Sequence, residues 1–280
     1  MSTSYRLSGV LGWPVGHSRS PLLHGHWLKR YGVAGAYVAL PVRPEDFEQA
    51  LRALPLLGFA GCNVTVPHKE AAFRLVDRVD PSAARLGAVN TIVVRPDRTL
   101  EGFNTDGEGF LRHLEASAPE WRAAGRPVLV IGAGGAARAV VGVLADAGVP
   151  EIRVANRTGA RAEALAAEFG RPLMAWPWSH RAEGLAGSSL VVNTTQLGMD
   201  GWPALDLPLD AMPADGVVYD IVYTPLETPL LAAARRRGLA TVDGLGMLLH
   251  QARAGFAAWF GVEPVVDEAL RRAVLGEESP

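Results

Sequence analysis

Lysine is rare in this chain, and one lysine stands where a helix is expected to begin. The chain has 280 residues and 27 Lys plus Arg, of which only Lys29 and Lys69 are lysine. Lys69 follows the apolar run of NVTVPHKEAA (63–72), near the positive end of a predicted helix dipole, where a cation is slightly unfavourable. An ammonium within hydrogen-bond reach of a reacting oxygen can stabilise negative charge and donate a proton. The local sequence leaves a solvated surface lysine as the alternative.

Two serines form a second candidate group. In GHSRSPLLH, Ser18 and Ser20 are two positions apart and Pro21 comes next. Serine followed by proline and an apolar run predicts Ser20 as the N-cap and Pro21 as the first residue of a helix. Two hydroxyls beside a helix N-terminus can also bind a small carboxylate. Capping alone explains Ser20 without a ligand, but it leaves Ser18 unexplained.

A glycine-rich turn forms a third group. Gly132, Gly134 and Ala137 give the pattern G-x-G-x-x-A, directly after the apolar run VLVI and before an amphipathic segment. In that context the pattern is typical of dinucleotide binding, because the glycines let a pyrophosphate approach the backbone at a helix N-terminus. The alternative is a turn that only packs a strand against a helix.

The segment after the next predicted strand indicates which dinucleotide binds. NAD sites usually have Asp or Glu about 20 residues past the glycines, bonded to the ribose 2′-hydroxyl. Here the strand ends in Asn156, Arg157 and Thr158, and Arg161 follows one turn later. Guanidinium and hydroxyl donors bind a 2′-phosphate, which a carboxylate would repel. The pattern therefore favours NADP(H), with an ordinary basic helix start as the alternative.

Composition excludes several classes of protein. The formal net charge is -2 and no block of basic residues occurs, so a nucleic-acid partner is not expected. No apolar stretch is long enough for a membrane span, and the start lacks the pattern of a signal peptide. The single cysteine, Cys62, fits a soluble protein of the reducing cytoplasm. No His/Cys cluster has metal-ligand spacing, so no metal is expected.

Apolar runs alternate with segments of helical period, which predicts an α/β fold. The last forty residues are expected to be mostly helical, with Leu248, Ala252, Phe256 and Trp259 forming a buried stripe. Besides VLVI, the main strands are predicted at 6–12, 36–42, 61–67, 90–94, 100–103, 188–195, 216–223 and 239–243. Helices are predicted at about 21–31, 44–54, 69–79 and 107–116.

Eight motifs occur in series: GWPVGHSRSPLLH, NVTVPHKE, GAVNT, GFNTDG, GAGGAARA, NRT, DIVYTPLETPLL and DGLGMLLHQA. Together they resemble the shikimate dehydrogenase family over residues 7–261. The resemblance implies reversible reduction of 3-dehydroshikimate to shikimate with NADPH, in the pathway to chorismate and the aromatic amino acids. It also implies an α/β substrate-binding domain at 1–106, completed by helices at 245–280. A Rossmann-like NADP-binding domain at 107–244 would face it across a cleft.

The resemblance assigns roles residue by residue. Lys69 and Asp106 match the catalytic pair of the family. The substrate would be bound through its carboxylate by Ser18 and Ser20, and through its other groups by Thr65, Asn90, Tyr223 and Gln251. The cofactor would be bound by Gly132, Ala133, Gly134, Gly135, Ala136, Ala137, Asn156, Arg157, Thr158, Arg161 and Met247.

Four positions depart from the usual family pattern, among them Gly25, where an asparagine is more often found. His68 stands next to the catalytic lysine and would either influence the pH profile or point away. Thr194 and Gln196 stand in a loop expected near the cofactor. Monomer and homodimer are both compatible with the sequence.

Two other functions remain open. One is a quinate/shikimate or aminoshikimate dehydrogenase of the same family, although Arg157 without a following Asp argues against an enzyme that prefers NAD. The other is a non-catalytic paralogue that binds nucleotide or shikimate for regulation, which the presence of both Lys69 and Asp106 disfavours.

Overall fold

The computed structural model describes residues 5–122 and 125–277. By compactness the chain divides into two units, the first within Met1–Thr105 and Leu248–Pro280, the second within Asp106–Met247. We call them unit 1 and unit 2. The predicted domain limits at residues 1 and 280 lie outside the described residues.

The elements alternate between strand and helix along most of the chain. The strands are β1 Arg6–Gly12, β2 Gly35–Pro41, β3 Gly61–Val64, β4 Arg78–Val79, β5 Thr91–Val94, β6 Leu100–Phe103, β7 Val128–Ile131, β8 Ile152–Ala155, β9 Leu173–Trp176, β10 Leu190–Asn193, β11 Val217–Asp220 and β12 Ala240–Val242. The α-helices are α1 Ser20–Arg30, α2 Phe47–Ala53, α3 Lys69–Leu75, α4 Pro81–Ala84, α5 Asp106–Ser117, α6 Gly135–Asp146, α7 Gly159–Phe169, α8 Pro229–Arg236, α9 Leu245–Phe260 and α10 Glu268–Leu275. The α/β fold class predicted from the sequence is confirmed.

Unit 1 is built on a mixed sheet with the strand order β2-β1-β3-β5-β6-β4. β1 pairs in parallel with β2 and β3, whereas β5 pairs antiparallel with β3 and β6. The hairpin predicted between β5 and β6 is therefore confirmed.

Helix α9 completes the core of unit 1. Trp259 is fully buried and its Nε1 donates a hydrogen bond of 2.9 Å to the Ile92 carbonyl in β5. Gly61 lies directly beneath that indole, because a Cβ there would be 2.2 Å from Trp259 Nε1. Of the predicted stripe, Ala252, Phe256 and Trp259 are buried, but Leu248 is only half-buried.

Unit 2 is built on a parallel sheet with the order β12-β11-β10-β7-β8-β9. Read from the opposite edge, this is the 3-2-1-4-5-6 order of dinucleotide-binding folds. β7 (VLVI) is buried at every position, as expected for a parallel strand covered on both faces. Two hydrophobic clusters cover the sheet, one around Val140 of α6 and one around Leu231 of α8.

Several predicted boundaries were wrong. The helix predicted at 69–79 ends at Leu75, because Val76 is extended (φ -70°, ψ 151°), and Arg78–Val79 instead pair with β6. The strand predicted at 61–67 ends at Val64. The helix predicted at 44–54 starts with a 3₁₀ turn, Pro44–Asp46, before α2. Within the described ranges no helix is long and apolar enough to span a bilayer.

Candidate functional site

Lys69 is the first residue of α3, as the sequence predicts. Its side chain is half-buried. Its carbonyl accepts a hydrogen bond of 3.0 Å from Val89 N, which joins the start of α3 to the residue before Asn90. The candidate lysine and the candidate Asn90 are thus held on adjoining pieces of backbone.

Asn90 and Gln251 are brought together within unit 1. Asn90 Nδ2 donates to Gln251 Oε1 at 3.4 Å and to Thr105 Oγ1 at 3.1 Å. Thr105 Oγ1 also donates to Gln251 Oε1 at 3.3 Å. Two predicted substrate-binding side chains, 161 residues apart, therefore belong to one polar network. Thr105, which sequence reasoning did not select, connects them.

The serine segment differs from its prediction. Arg19, not Ser20, occupies the N-cap of α1, and it makes no capping side-chain bond. Ser18 Oγ accepts a hydrogen bond of 3.3 Å from Ser20 N, so Ser18 is the serine that satisfies an N-terminal amide. Ser20 is buried, and its hydroxyl hydrogen-bonds the Tyr37 side chain. The predicted capping role of Ser20 was therefore wrong.

Tyr37 links Ser20 to the strand that leads to Thr65. Tyr37 Oη donates to Asn63 Oδ1 at 2.6 Å. Burial, the largest cause, holds the pKa of Tyr37 well above its usual value, so the phenol is the form that bonds here. Thr65 packs its methyl group against Gly12, where a Cβ would be 2.5 Å away. The end of β1 thus brings Thr65 close to the segment that carries the two serines.

Asp106 is the first residue of α5 and is buried in unit 2. Tyr223 is half-buried in the segment after β11. Met247 lies in α9 and is buried in the same hydrophobic cluster as Val140.

The glycine turn follows β7 and fits the approach of a phosphate group. Gly132 has φ +113°, and a Cβ there would be 2.5 Å from Thr194 Oγ1. Gly134 and Gly135 are exposed, and beyond the adjoining backbone no protein atom lies within 4 Å of a Cβ built on either. The first turn of α6 carries no acidic residue, so its amide groups are open to an anion. Ala137 is fully buried and packs α6 on the sheet, while Ala133 and Ala136 are half-buried.

The basic loop follows β8, next to β7. Asn156 Nδ2 donates to the Thr158 carbonyl at 2.8 Å, which fixes the turn. Thr158 is the N-cap of α7, but its side chain makes no capping bond. Arg157, Thr158 and Arg161 are exposed. Two guanidinium groups and a hydroxyl are therefore available on the loop where a 2′-phosphate would be bound.

Three family models and the sequences of known proteins match this chain. Residues 10–92 match the substrate binding domain of shikimate dehydrogenase, 115–197 match shikimate / quinate 5-dehydrogenase, and 244–275 match the shikimate 5'-dehydrogenase C-terminal domain. Shikimate dehydrogenase (NADP(+)) of Paramagnetospirillum magneticum is 61% identical over 275 residues, covering 98% of this chain and 100% of the relative. The chain belongs to the shikimate dehydrogenase family.

Solved structures of the shikimate dehydrogenase family agree with this fold. The Thermus thermophilus enzyme, solved with NADP(H) and shikimate, superposes with a TM-score of 0.87 at 40% identity, covering 98% of this chain and 100% of that one. Quinate dehydrogenase of Corynebacterium glutamicum, solved with NAD, gives a TM-score of 0.89 at 34% identity over 98% and 100% of the two chains. The fold alone therefore does not separate shikimate from quinate enzymes.

His68 of this shikimate dehydrogenase family member points away from solvent. Its ring is buried and stacks on Phe47, with centroids 4.3 Å apart and planes 8° apart. Its Nε2 lies 2.8 Å from the Val42 carbonyl, which requires the Nε2–H form to donate. The sequence left open whether His68 influences the pH profile or points away, and the contacts with Phe47 and Val42 support a packing role.

A buried carboxylate in unit 2 was missed from the sequence. Asp220 ends β11 and is fully buried. Burial raises the pKa of Asp220 to about 6, against the opposing effect of hydrogen bonds from Thr228, Val222 and Asn193. The only sequence signal was its position at the carboxyl end of a predicted parallel strand, where polar residues often serve a site.

His24 forms an unusual buried contact in unit 1. It stacks on Tyr37 with ring centroids 3.9 Å apart, and neither ring nitrogen has a hydrogen-bond partner among the described residues. Burial lowers the pKa of His24 to about 3. The described residues contain no group of three or more His, Cys, Asp or Glu that could hold a metal ion.

Proposed function

We propose that this chain catalyses the reversible reduction of 3-dehydroshikimate to shikimate with NADPH, in the pathway to chorismate. The observation that carries the proposal is the network of Asn90, Thr105 and Gln251, joined through Val89 to the backbone of Lys69. It groups amide and hydroxyl side chains, suited to a substrate with several hydroxyls, beside a side chain that can deliver a proton.

Lys69 is the proton donor in this proposal. Bound NADPH supplies the hydride. The Lys69 ammonium hydrogen-bonds the substrate carbonyl oxygen, stabilises the negative charge that develops there and gives that oxygen its proton. In the opposite direction the neutral amine accepts the proton. Asp106 orients the ammonium and bonds a substrate hydroxyl.

Substrate binding is divided among the remaining candidates. Ser18 and Ser20 donate to the carboxylate, for which the Ser20 hydroxyl must turn away from Tyr37. Thr65, Asn90 and Gln251 bond the ring hydroxyls, and Tyr223 lines the same site. Because Asn90 and Gln251 already share a hydrogen bond, and both bond Thr105, their side chains are held in place before substrate binds.

The cofactor is NADP(H) rather than NAD(H) in this proposal. The glycine turn would bind the pyrophosphate, Met247 would contact the nicotinamide, and the adenosine phosphate would be bound by Asn156, Arg157, Thr158 and Arg161. Residues 1–106 with 245–280 bind the substrate, and residues 107–244 bind the cofactor. We further propose a cytoplasmic monomer or homodimer, which light scattering after size-exclusion chromatography distinguishes.

The test is a spectrophotometric assay of NADPH formation with shikimate or quinate and with NADP⁺ or NAD⁺. We expect kcat/KM to be highest for shikimate with NADP⁺. A kcat/KM that is higher with quinate than with shikimate would instead identify the chain as a quinate/shikimate dehydrogenase. A pure, folded protein that binds NADPH but forms none from shikimate or quinate would support the regulatory paralogue.

Lys69→Arg tests the proton donor, with Lys29→Arg as its matched control. Both variants keep a positive charge, and Lys29 is exposed in α1. Arginine is a poor proton donor at neutral pH. We expect Lys69→Arg to keep KM for shikimate within about tenfold but to lower kcat at least about a hundredfold. Near-normal turnover of Lys69→Arg would reject the catalytic role.

A further inference from the structure

The carboxyl ends of four neighbouring strands form a row across unit 2. Ala155, Ile131, Asn193 and Asp220 pair side by side in β8, β7, β10 and β11. Ligands of parallel α/β sheets bind just beyond such a row. Asn193 and Asp220 are the polar members of the row, and both are fully buried.

The Asp220 carboxylate joins three segments. Oδ1 accepts hydrogen bonds from Asn193 Nδ2 at 2.9 Å and from Val222 N at 3.1 Å. Oδ2 accepts from Thr228 Oγ1 at 2.7 Å. Thr228 is the N-cap of α8, and its Oγ1 accepts from Leu231 N. A buried carboxylate with three donors and no ionic partner among these bonds is costly to desolvate, so its presence calls for a structural or functional reason.

Asn193 connects the Asp220 carboxylate to the loop 194–197 through its own hydrogen bonds. Its Nδ2 also donates to the Leu197 carbonyl at 3.0 Å, and its Oδ1 accepts from Thr195 N and Thr195 Oγ1 at 3.1 and 2.7 Å. The Asn193 amide therefore uses all of its donors and acceptors, so its orientation is fixed by its partners.

The loop 194–197 lies directly against the glycine turn. Thr194 Oγ1 donates to the Ile131 carbonyl at 2.7 Å. A Cβ on Gly132 would be 2.5 Å from Thr194 Oγ1 and 3.1 Å from Thr195 Cγ2. Any shift of the loop toward β7 would therefore displace the turn, and a shift away would remove its support.

We propose that Asp220 is a positioning residue for the cofactor site, which acts through Asn193 to hold the loop 194–197 against Gly132. The proposal rests on the proposed function, because it takes the glycine turn as the place where NADPH binds. Asp220 itself is fully buried and is not assigned any contact with cofactor or substrate.

The experiment compares four single variants of the full chain, and the double variant Asp220→Ala/Asn193→Ala, for NADPH affinity, measured by cofactor fluorescence, and for thermal stability. Asp220→Ala and Asn193→Ala both break the link to the loop. Asp220→Asn keeps it, because its Oδ1 can accept from Asn193 and Val222 while its amide donates to Thr228. Thr228→Val is the matched control, since it breaks the same network on the side of α8.

We expect Asp220→Ala and Asn193→Ala each to weaken NADPH binding at least about tenfold. The double variant is expected to be no weaker than Asp220→Ala, because the two residues act in series. Asp220→Asn and Thr228→Val should stay within about threefold of wild type, although Thr228→Val loses thermal stability. The shikimate affinity of the four single variants, measured calorimetrically without cofactor, should change less than about twofold.

Wild-type NADPH affinity in Asn193→Ala would overturn the proposal, as would an equal loss in Thr228→Val. If Asp220→Ala does not fold, the pair Asn193→Ala and Thr228→Val still gives this comparison. Gly134→Ala, measured in parallel, tests the proposed cofactor site separately from the positioning role of Asp220. Undiminished NADPH affinity in Gly134→Ala would place the cofactor elsewhere and reject the proposed cofactor site, whatever the Asp220 variants do.

Discussion

Gln251 Oε1 accepts hydrogen bonds from both Asn90 Nδ2 and Thr105 Oγ1, at 3.4 and 3.3 Å. Gln251 belongs to α9 near the end of the chain, whereas Asn90 and Thr105 flank the β5–β6 hairpin. Helix α9 therefore contributes to the polar group of unit 1 as well as to its hydrophobic core. This contact gives the predicted substrate side chains a fixed geometry before substrate arrives.

Gln251→Ala is expected to raise KM for shikimate by about tenfold. The substitution removes one partner of the substrate and leaves Asn90 and Thr105 without their shared acceptor, a loss of about 1–3 kcal/mol. KM for NADP⁺ should stay within about twofold. Steady-state kinetics measures both constants, and Gln49→Ala, at an exposed position of α2, is the control. Equal rises in the two KM values would contradict a role confined to the substrate.

Gly134→Ala is expected to weaken NADPH binding at least about tenfold without lowering stability. The methyl group meets no protein atom, and the backbone of Gly134 (φ -94°, ψ -168°) is open to alanine. A bound pyrophosphate would meet it. Replacing glycine lowers the entropy of the unfolded chain, which offsets the lower preference of alanine at the N-cap of α6. Gly25→Ala, where the space is also empty, is the control. Fluorescence titration of NADPH and thermal melting are the measurements.

Arg157→Leu is expected to lower kcat/KM for NADP⁺ by about 10- to 100-fold, the effect of losing a charge-assisted hydrogen bond to the 2′-phosphate. NAD⁺ has no such phosphate, so kcat/KM for NAD⁺ should change less than about threefold. The ratio of the two values is the readout, and NAD⁺ serves as the internal control. If the ratio of kcat/KM for NADP⁺ to that for NAD⁺ is unchanged, the 2′-phosphate is bound by Arg161 or by another group.

Local features of the fold were predictable, whereas contacts that depend on strand register were not. β7 could be read from VLVI, since a continuous apolar run before a glycine turn is typical of a buried parallel strand. Lys69 at the start of α3 was also predicted correctly. Asp220 and Asn193 are 27 residues apart and meet only because β10 and β11 pair in one register. Their pairing leaves no local pattern in the sequence.

The segment that carries Ser18 and Ser20 also has contacts that the local sequence did not predict. Ser followed by Pro predicted a capping role for Ser20, but the buried Tyr37 hydroxyl offers it a different partner. The contacts of Tyr37 depend on how β2 packs against α1. Likewise, His24 was recognisable as a helix residue, but its burial against Tyr37 follows from the tertiary arrangement. These are cases in which tertiary contacts override a local preference.

His24 makes unit 1 sensitive to acid. Its pKa is lowered from the usual 6.5 to about 3 by burial, so the native state keeps the ring neutral where the unfolded chain binds a proton. The stabilisation that the neutral His24 ring gives the folded state is therefore fully present above about pH 6.5. It falls as the pH decreases toward 3. The slope for one proton is about 1.4 kcal/mol per pH unit. Between pH 6.5 and pH 4.5 this amounts to a loss on the order of 2–3 kcal/mol.

His24→Phe is expected to remove this part of the pH dependence. A phenyl ring keeps the stack on Tyr37 and carries no nitrogen that can be protonated. Urea unfolding followed by tryptophan fluorescence, at a series of pH values from 7 to 4.5, measures the slope rather than the absolute stability, so a packing cost of the larger ring does not affect the result. His180→Phe, at an exposed position, should keep the wild-type slope. If His24→Phe and wild type lose stability in parallel as the pH falls, another group is responsible and His24 does not control the acid sensitivity.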